Sequence, residues 1–314
     1  SEGFEGYGPD RLKTLAKISI LEDFTSEELR GIFGIEDAEA IISWLEKSNL
    51  YIQKIKSDIT SYRFHFLFRS ALHSILHDLF SSHELLELNL KAADYYKGLR
   101  RYNPAIRFLL ISDRIDEAVK IACDEGVRFM DVGDTDNVAS IIHEFPERLA
   151  QSNPCLMFLK GASLMSSEFD QSYDYLHRAL SSFAQSGNMV LLMKTVGLMI
   201  SISYQKNDLN NIKSVVSQIP KFKAVTQSKY ARVTLLLSAF MNATWSDRLN
   251  LAEKLYKLVD RLDFYEPLWD YTFKMAKMVI LYRKGTLEAA KELIPQLLNH
   301  PTALVNDRWK SIGL

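Results

Sequence analysis

The run F-D-Q-S-Y-D-Y-L-H-R-A, residues 169–179, carries apolar or small residues at its first, fourth, eighth and eleventh positions. This 3, 4, 3 spacing places those residues on one face of an α-helix. Three later blocks repeat the spacing, and the starts of the four blocks lie 40, 40 and 38 residues apart. The four sets of anchors are Phe169, Ser172, Leu176, Ala179; Leu209, Ile212, Val216, Ile219; Leu249, Ala252, Tyr256, Val259; and Leu287, Ala290, Ile294, Leu297. A period of this length predicts stacked supersecondary units, not a coiled coil.

A small or turn-forming residue stands two positions before each first anchor. These residues are Ser167, Asn207, Asp247 and Gly285. Another apolar-periodic segment precedes each of them, so every unit is predicted to be a helix, a tight turn and a second helix. The units resemble the tetratricopeptide repeat (TPR), whose A-x-x-x-F pair is matched by Ala252 with Tyr256 and by Ala290 with Ile294. The resemblance implies a TPR-like right-handed α-solenoid, and we assign it to residues 82–314.

The composition excludes several classes of protein. The chain has 314 residues, of which 47% are hydrophobic, and its net charge is -1, which does not suit a general polyanion binder. The apolar run 190–202 contains Lys194 and is too short for a membrane span. Because no basic, cleavable leader opens the sequence, we expect a cytoplasmic protein. Cys123 and Cys155 both fall in apolar helical patterns, which predicts buried free thiols and no disulfide.

The first 81 residues have a different pattern. Residues 1–9 are rich in glycine and are predicted to form a flexible leader. In residues 10–81, helices are predicted to start at Asp10, at Glu27 and at Asp37, and strands are predicted at 50–55 and 62–66. Three helices followed by a hairpin predict a small winged-helix domain, so the fold class is mainly α.

The third helix of this domain is acidic, whereas a DNA recognition helix is basic. Glu36, Asp37, Glu39 and Glu46 stand against Lys47, a balance of -3. We therefore expect no direct nucleic acid binding.

The segment Y-R-F-H-F-L-F-R, residues 62–69, carries the strongest resemblance in the chain. With T-L-A-K-I-S-I-L-E-D-F (14–24) and A-I-I-S-W-L-E-K-S-N-L-Y (40–51), it resembles the winged helix of MalT-type regulators, which are LuxR-class transcription activators of the STAND ATPase group. Phe64, His65, Leu67 and Phe68 match that family's box after the wing, and Leu45, Asn49 and Leu50 match part of its preceding helix. We interpret His65 as structural.

The resemblance implies that this chain is the middle of a regulator. An ATPase domain binding ATP or ADP is expected before residue 1 and a DNA-reading domain after Leu314, with no cofactor in this fragment. The sequence has no phosphate-binding loop and no nucleophile elbow, so we predict no catalytic residues and no enzyme activity. His73 and His77 lie one turn apart, but Ser74 stands where a zincin has glutamate, so no metal site is predicted.

Stacked helix pairs curve, and their first helices line the concave side. TPR spacing places six residues on that inner surface: Lys194, Ser201, Tyr204, Trp245, Tyr282 and Arg283. Such aromatic and cationic side chains suit a sugar, an anion or a peptide, and the alternative interpretation is ordinary packing between helices.

The sequence thus predicts an effector-sensing region. It would bind a small-molecule inducer or a protein partner in the concave groove and control its own ATPase domain, without contacting a membrane. The alternative is a constitutive TPR-type scaffold for protein–protein interaction. A closed pocket sized for a small molecule favours the sensor, and an open trough favours the scaffold.

Overall fold

The computed structural model describes residues 8–47, 52–56, 60–165, 167–206, 208, 215, 229–245, 247–261 and 266–305. Contacts divide the chain into two compact units, Ser1–Ala118 and Val119–Leu314. The described residues are mainly helical, with two short strands in the first unit. None of the described helices is long and apolar enough to cross a bilayer. The labels below number the described helices in chain order.

The first unit opens with three short helices: α1 (Pro9–Ile18), α2 (Ser26–Phe33) and α3 (Ala38–Lys47). A capping box starts α2, because Thr25 Oγ1 accepts from the Glu28 N–H at 3.1 Å and Glu28 Oε2 accepts from the Thr25 N–H at 2.9 Å. Gly34 ends α2 with a φ of 68°, a left-handed conformation that glycine adopts without strain. These helix boundaries agree with the sequence-based prediction to within one or two residues.

A two-stranded hairpin follows, formed by β1 (Ile52–Ile55) and β2 (Ser61–Phe64). The strands are antiparallel, with Ile52 opposite Phe64. Tyr62 also pairs with Phe24 through an isolated bridge, which joins the hairpin to the segment before α2. Three helices and this hairpin have the order expected of a winged helix.

The second predicted strand is two residues too long. The chain turns into α4 (Phe66–Ser74) directly after His65, and α5 (Leu76–Leu79) follows. The aromatic ring of Phe64 contacts those of Phe24 and Phe68, with centroids 5.1 and 5.4 Å apart. The aromatic box of the sequence is therefore the core beneath the wing.

Two more helices, α6 (Ser82–Gly98) and α7 (Tyr102–Ile111), belong to the first unit. Arg101 donates to Glu28 at 2.5 Å, and Arg107 donates to Glu22 at 2.7 Å. Tyr95 of α6 lies directly against Gly31 of α2, where a β-carbon would collide with its ring. These contacts place the division between the units at residue 118, whereas the sequence places the domain boundary after residue 81.

The second unit contains most of α8 and all later helices. They are α8 (Ile115–Val132), α9 (Thr135–His143), α10 (Glu147–Ser152), α11 (Pro154–Leu164), α12 (Phe169–Ser186), α13 (Met189–Gln205), α14 (Lys229–Trp245), α15 (Leu249–Asp260), α16 (Pro267–Arg283), α17 (Leu287–Lys291), α18 (Leu293–Leu298) and α19 (Pro301–Val305). Helices that are neighbours in this order pack together, including α11 with α12, α12 with α13 and α14 with α15.

Contacts between α15 and α16 show that this pair is antiparallel. Tyr256 stacks on Phe273, with ring centroids 4.9 Å apart. Glu253, almost one turn before Tyr256, pairs with Lys284 at 2.8 Å, three turns after Phe273. A step towards the N-terminus of α15 therefore corresponds to a step towards the C-terminus of α16, so the two helices are antiparallel.

The anchors mark where the second helices begin. Phe169, Leu249 and Leu287 are the first residues of α12, α15 and α17. The block that begins at Leu209 lies outside the described residues. In the last block the helix stops after Lys291 and resumes at Leu293. Pro295 explains this break, because it has no N–H to donate to the Lys291 carbonyl.

Several turns between helices are closed by the same type of backbone hydrogen bond. Asp247 and Gly285, both predicted turn residues, have left-handed φ angles of 58° and 76°. In each case the next N–H donates to a carbonyl five residues back, closing a Schellman motif. These two bonds run from the Arg248 N–H to the Ala243 carbonyl and from the Thr286 N–H to the Leu281 carbonyl. Among the described residues, five more N–H groups donate to the carbonyl five residues back: Arg101 to Tyr96, Arg114 to Leu109, Asp134 to Phe129, Asn188 to Phe183 and Asp208 to Ser203.

The prediction of free thiols is wrong. Cys123 of α8 and Cys155 of α11 form a disulfide across 32 residues, with Cα atoms 6.0 Å apart. Both cysteines do lie in helices, as their apolar helical patterns predicted, but the packing of α8 on α11 brings them together. That packing is tight because Gly126 of α8 leaves room for Leu159. Only the tertiary arrangement distinguishes this pair from two separate buried thiols.

Candidate functional site

Lys194 occupies an unusual position in the second unit. It lies in the middle of α13, among apolar neighbours, and only 8% of the residue is exposed. Its ammonium group forms ion pairs with Asp131 of α8 and with Glu266, the residue before α16; the Glu266 contact measures 2.9 Å. A buried ammonium group needs such partners, because it loses its hydration on folding.

These ion pairs form one wall of a small pocket. Its other walls are apolar or aromatic, and the lining comes from α8, α11, α13 and α16: Met130, Asp131, Phe158, Lys194, Leu198, Glu266, Leu268 and Trp269. About 30 Å³ is open to the centre of a water molecule, which is room for roughly two waters or a few ligand atoms. Four helices that are distant in sequence thus meet at one site.

Trp269 is held in place by a glycine. A β-carbon on Gly197 would lie 2.5 Å from Trp269 Cη2, so only glycine allows the indole to rest on α13. Lys194 and Gly197 are three residues apart and share a face of α13, the face that meets the start of α16. The glycine therefore sets the position of the aromatic wall relative to the ion pairs.

Glu266 is the least satisfied charged group in the pocket. Burial raises the pKa of its carboxyl above the ordinary value and the charge of Asp131 adds to the rise, while the charge and hydrogen bond of Lys194 and a hydrogen bond from the Trp269 side chain oppose it only in part. Oε1 accepts from Lys194, but the buried Oε2 has no hydrogen-bond partner among the described residues. A carboxylate oxygen without a donor in a low-dielectric environment is costly to maintain.

Of the six residues predicted to line the groove, the four whose side chains are described lie at different places on α13 and α16. Lys194 lines the pocket, and Ser201 lies half-buried about 10 Å further along α13. The side chains of Tyr204 and Trp245 fall outside the described part of the structure. The other two predicted residues, Tyr282 and Arg283, belong to α16.

Tyr282 and Arg283 lie at the far end of α16, about 20 Å along the helix from Trp269. Tyr282 is 68% exposed. Arg283 donates to the Thr244 carbonyl at 2.8 Å and lies 3.7 Å from Asp247, so it helps to close the turn between α14 and α15. That contact is structural, and it separates Arg283 from the pocket.

Sequence reasoning missed Asp131 and Glu266. One signal pointed towards them: a lone lysine inside the apolar segment 190–202 requires a carboxylate partner. Their separations from Lys194, 63 and 72 residues, gave no indication of which carboxylates these are. For Trp269, nothing in the sequence except its aromatic side chain indicated that it would line a pocket.

Of the two histidines that lie one turn apart, His73 has a contact with the backbone of the first unit. His73 Nε2 lies 2.7 Å from the Ser19 carbonyl, which Arg69 also contacts at 2.9 Å. Across the described residues, no three His, Cys, Asp or Glu side chains gather closely enough to hold a metal ion.

Comparison with known families identifies the first part of the chain. The family model for the MalT winged helix domain matches residues 1–84. This match confirms the winged helix and supports a MalT-like regulator, and it covers 84 of 314 residues. No curated protein and no solved structure matches the chain.

Proposed function

We propose that this chain is the effector-sensing, regulatory middle region of a MalT-like, ATP-dependent transcription regulator. In this proposal the second unit is a TPR-like right-handed solenoid of LuxR-family, STAND-class type. It binds an inducer or partner on its concave side and controls a separate ATPase and a separate DNA-binding domain. The fragment itself is neither an enzyme nor a DNA reader, and it acts in the cytoplasm.

The observation that carries the proposal is the match of residues 1–84 to the MalT winged helix, followed by helix pairs with a period of about 40 residues. The acidic third helix supports the absence of DNA binding. Its Glu39 pairs with Arg30, and its Glu46 lies 3.7 Å from Lys54. These carboxylates leave no basic face for phosphate.

The mechanism requires two arrangements of the helices. The pocket at Lys194 joins α8, α11, α13 and α16, so a ligand there contacts four helices at once. Such a ligand favours whichever arrangement it binds more tightly, and that difference in affinity is the only source of a switch. The arrangement so favoured would release the ATPase domain to exchange nucleotide.

A constitutive scaffold is the second candidate. It needs a long open trough for a helix or a tail. The exposed Tyr282 offers a contact for such a partner. Against this, carboxylates from α8 and from the residue before α16 converge on Lys194 of α13, beside a pocket with room for only a few ligand atoms. This feature favours a small ligand.

Transcript profiling tests the proposal directly. Cells that lack the gene are compared with cells that carry the wild-type sequence, Gly197→Ala or Gly98→Ala. Gly197→Ala pushes Trp269 out of the pocket, whereas a β-carbon at Gly98 meets nothing within 4 Å. We expect Gly197→Ala to alter the transcripts that depend on the gene and Gly98→Ala to leave them unchanged. No gene-dependent transcripts, or equal profiles for the two variants, would contradict a sensory role.

A further inference from the structure

The charge of the pocket is opposite to what its lysine suggests. Lys194 lies between two carboxylates, and its side chain is only 9% exposed, so it has no freedom to reach a ligand. The charged residues of the lining are Lys194, Asp131 and Glu266, which sum to -1. An anion or a sugar acid would therefore meet net negative charge and an ammonium group that is already occupied.

One hydrogen-bond acceptor among the lining residues has no donor in the described part of the structure. Glu266 lines the pocket, and its buried Oε2 atom has no hydrogen-bond partner among the described residues. A carboxylate can only accept hydrogen bonds, so the complementary group is a donor. A charged donor forms the stronger bond, and it also offsets the excess negative charge.

The remaining walls specify the rest of the ligand. Met130, Phe158, Leu198, Leu268 and Trp269 present apolar surface. Surface of this kind favours a short hydrocarbon or a ring over a hydroxylated body. The limited space restricts the part that enters to a few heavy atoms.

We propose that this pocket binds a small cationic amine with an apolar body, its ammonium group donating to Glu266 Oε2 beside the Lys194 ion pairs. This inference rests on the proposed function, because it names the chemical class of the effector at that site. It also replaces the anion or sugar suggested by the sequence.

Three probes of matched size test the charge preference: n-butylamine, butan-1-ol and sodium butyrate. Each is titrated at neutral pH into the whole chain at constant ionic strength, with tryptophan fluorescence and calorimetry as readouts. For so few heavy atoms we expect dissociation constants of roughly millimolar order for the amine. Butan-1-ol should bind about tenfold more weakly, since it brings a donor without a charge, and butyrate should show no saturable binding.

Two variants assign the binding to Glu266. Glu266→Gln retains the shape of the side chain but removes its charge, and it should weaken n-butylamine roughly tenfold or more. Glu253→Gln is the matched control, because Glu253 also pairs with a lysine, Lys284 at 2.8 Å, but does not line the pocket. It should leave the affinity unchanged, and circular dichroism checks that both variants fold.

Each other outcome decides a different question. Butyrate or butan-1-ol binding best, with loss in Gly197→Ala, would overturn the amine class while leaving an effector pocket in place. Amine binding that is equal in wild type and Glu266→Gln would overturn the assignment to this carboxylate. No saturable binding by any probe would overturn the amine proposal, and the transcript experiment would then judge the regulatory role separately.

Discussion

Each unit of this protein has a glutamate that is largely removed from water, and the two differ in how completely they are bonded: Glu28 is buried, and Glu266 is partly buried. In the first unit, Glu28 accepts from the Thr25 N–H through Oε2 and from Arg101 through Oε1. In the second unit, Glu266 accepts from Lys194 through Oε1, and its buried Oε2 has no partner among the described residues. A buried carboxylate that accepts a bond through each oxygen is fully used within the fold, whereas an oxygen left without a donor requires an explanation, which here is the proposed effector.

The largest expected difference between the units comes from the disulfide, because both cysteines lie in the second unit. Closing a loop across 32 residues stabilises the folded state by about 4 kcal/mol in the chain-entropy model. We expect dithiothreitol to lower the unfolding free energy of the second unit by that order and to leave the first unit unchanged. Urea unfolding followed by hydrogen exchange separates the two units.

A double variant, Cys123→Ser with Cys155→Ser, provides the control. It should unfold like the reduced wild type and should not respond to dithiothreitol. A wild type whose second unit is indifferent to reduction would show that this bond contributes nothing to stability. It is also the result expected if the two cysteines are already reduced thiols, as cysteines usually are in cytoplasmic proteins.

Glu28→Gln should be the next largest effect. It removes the charge that pairs with Arg101 and weakens the capping box of α2, at a cost of about 2 kcal/mol. Glu84→Gln is a matched control, since Glu84 completes the capping box of α6 with Ser81 but is exposed. It should lose clearly less stability than Glu28→Gln, because the exposed Glu84 is solvated whether or not its capping bonds form. Equal losses in the two variants would mean that the burial of Glu28 is irrelevant.

Glu266→Gln should reduce stability by less than Glu28→Gln does, because Lys194 keeps its ion pair with Asp131 and the glutamine brings no negative charge that has to be desolvated. The pH dependence sharpens this contrast. Burial raises the pKa of the Glu266 carboxyl, so its favourable contribution is complete below the unfolded value near 4.5 and is lost as pH rises through the folded value.

The variant should therefore gain stability relative to wild type as pH rises from about 4.5 towards 7. Chemical unfolding at a series of pH values measures the difference. A loss at neutral pH as large as that of Glu28→Gln would place Glu266 among the structural glutamates, and it would remove the distinction between the two units.

The smallest effect concerns His300, a buried titratable group whose two ring nitrogens are both engaged. Nδ1 accepts from the Thr302 N–H at 3.2 Å, and Nε2 lies 3.0 Å from Asp270. Burial lowers the pKa of this histidine. Its contribution is therefore present above the unfolded value near 6.5 and is lost as pH falls through the folded value.

His300→Gln should accordingly flatten the loss of stability between pH 7.5 and 5.5. Melting temperatures of wild type and variant at both pH values suffice as the measurement, because the two proteins differ in this one side chain only. A steeper loss in the variant than in the wild type would reverse the sign and contradict the buried, neutral histidine.

Local signals in the sequence predicted much of the fold. The anchors and the turn residues before them predicted the second helices α12, α15 and α17, because helix periodicity and turn chemistry depend on residues that are close in the sequence. Asp247 and Gly285 predicted the left-handed turns for the same reason. The aromatic box predicted the wing and the family that matches it.

Long-range contacts were beyond such reasoning. The pairing of Cys123 with Cys155 depends on how α8 crosses α11. The partners of Lys194 lie on other helices, and nothing near it in the chain names them. Sequence spacing also placed Arg283 in the same groove as Lys194, although its contacts are at a distant turn. Periodicity predicts faces of helices but not which faces meet.

A thermal-shift screen of purified small metabolites tests the central claim, that a small effector binds beside Glu266, most directly. Wild type, Glu28→Gln and Glu266→Gln are screened in parallel, each at its own melting temperature. The account predicts at least one compound that stabilises wild type and Glu28→Gln but not Glu266→Gln. Compounds that stabilise all three proteins equally, or none that stabilises the wild type, would contradict it.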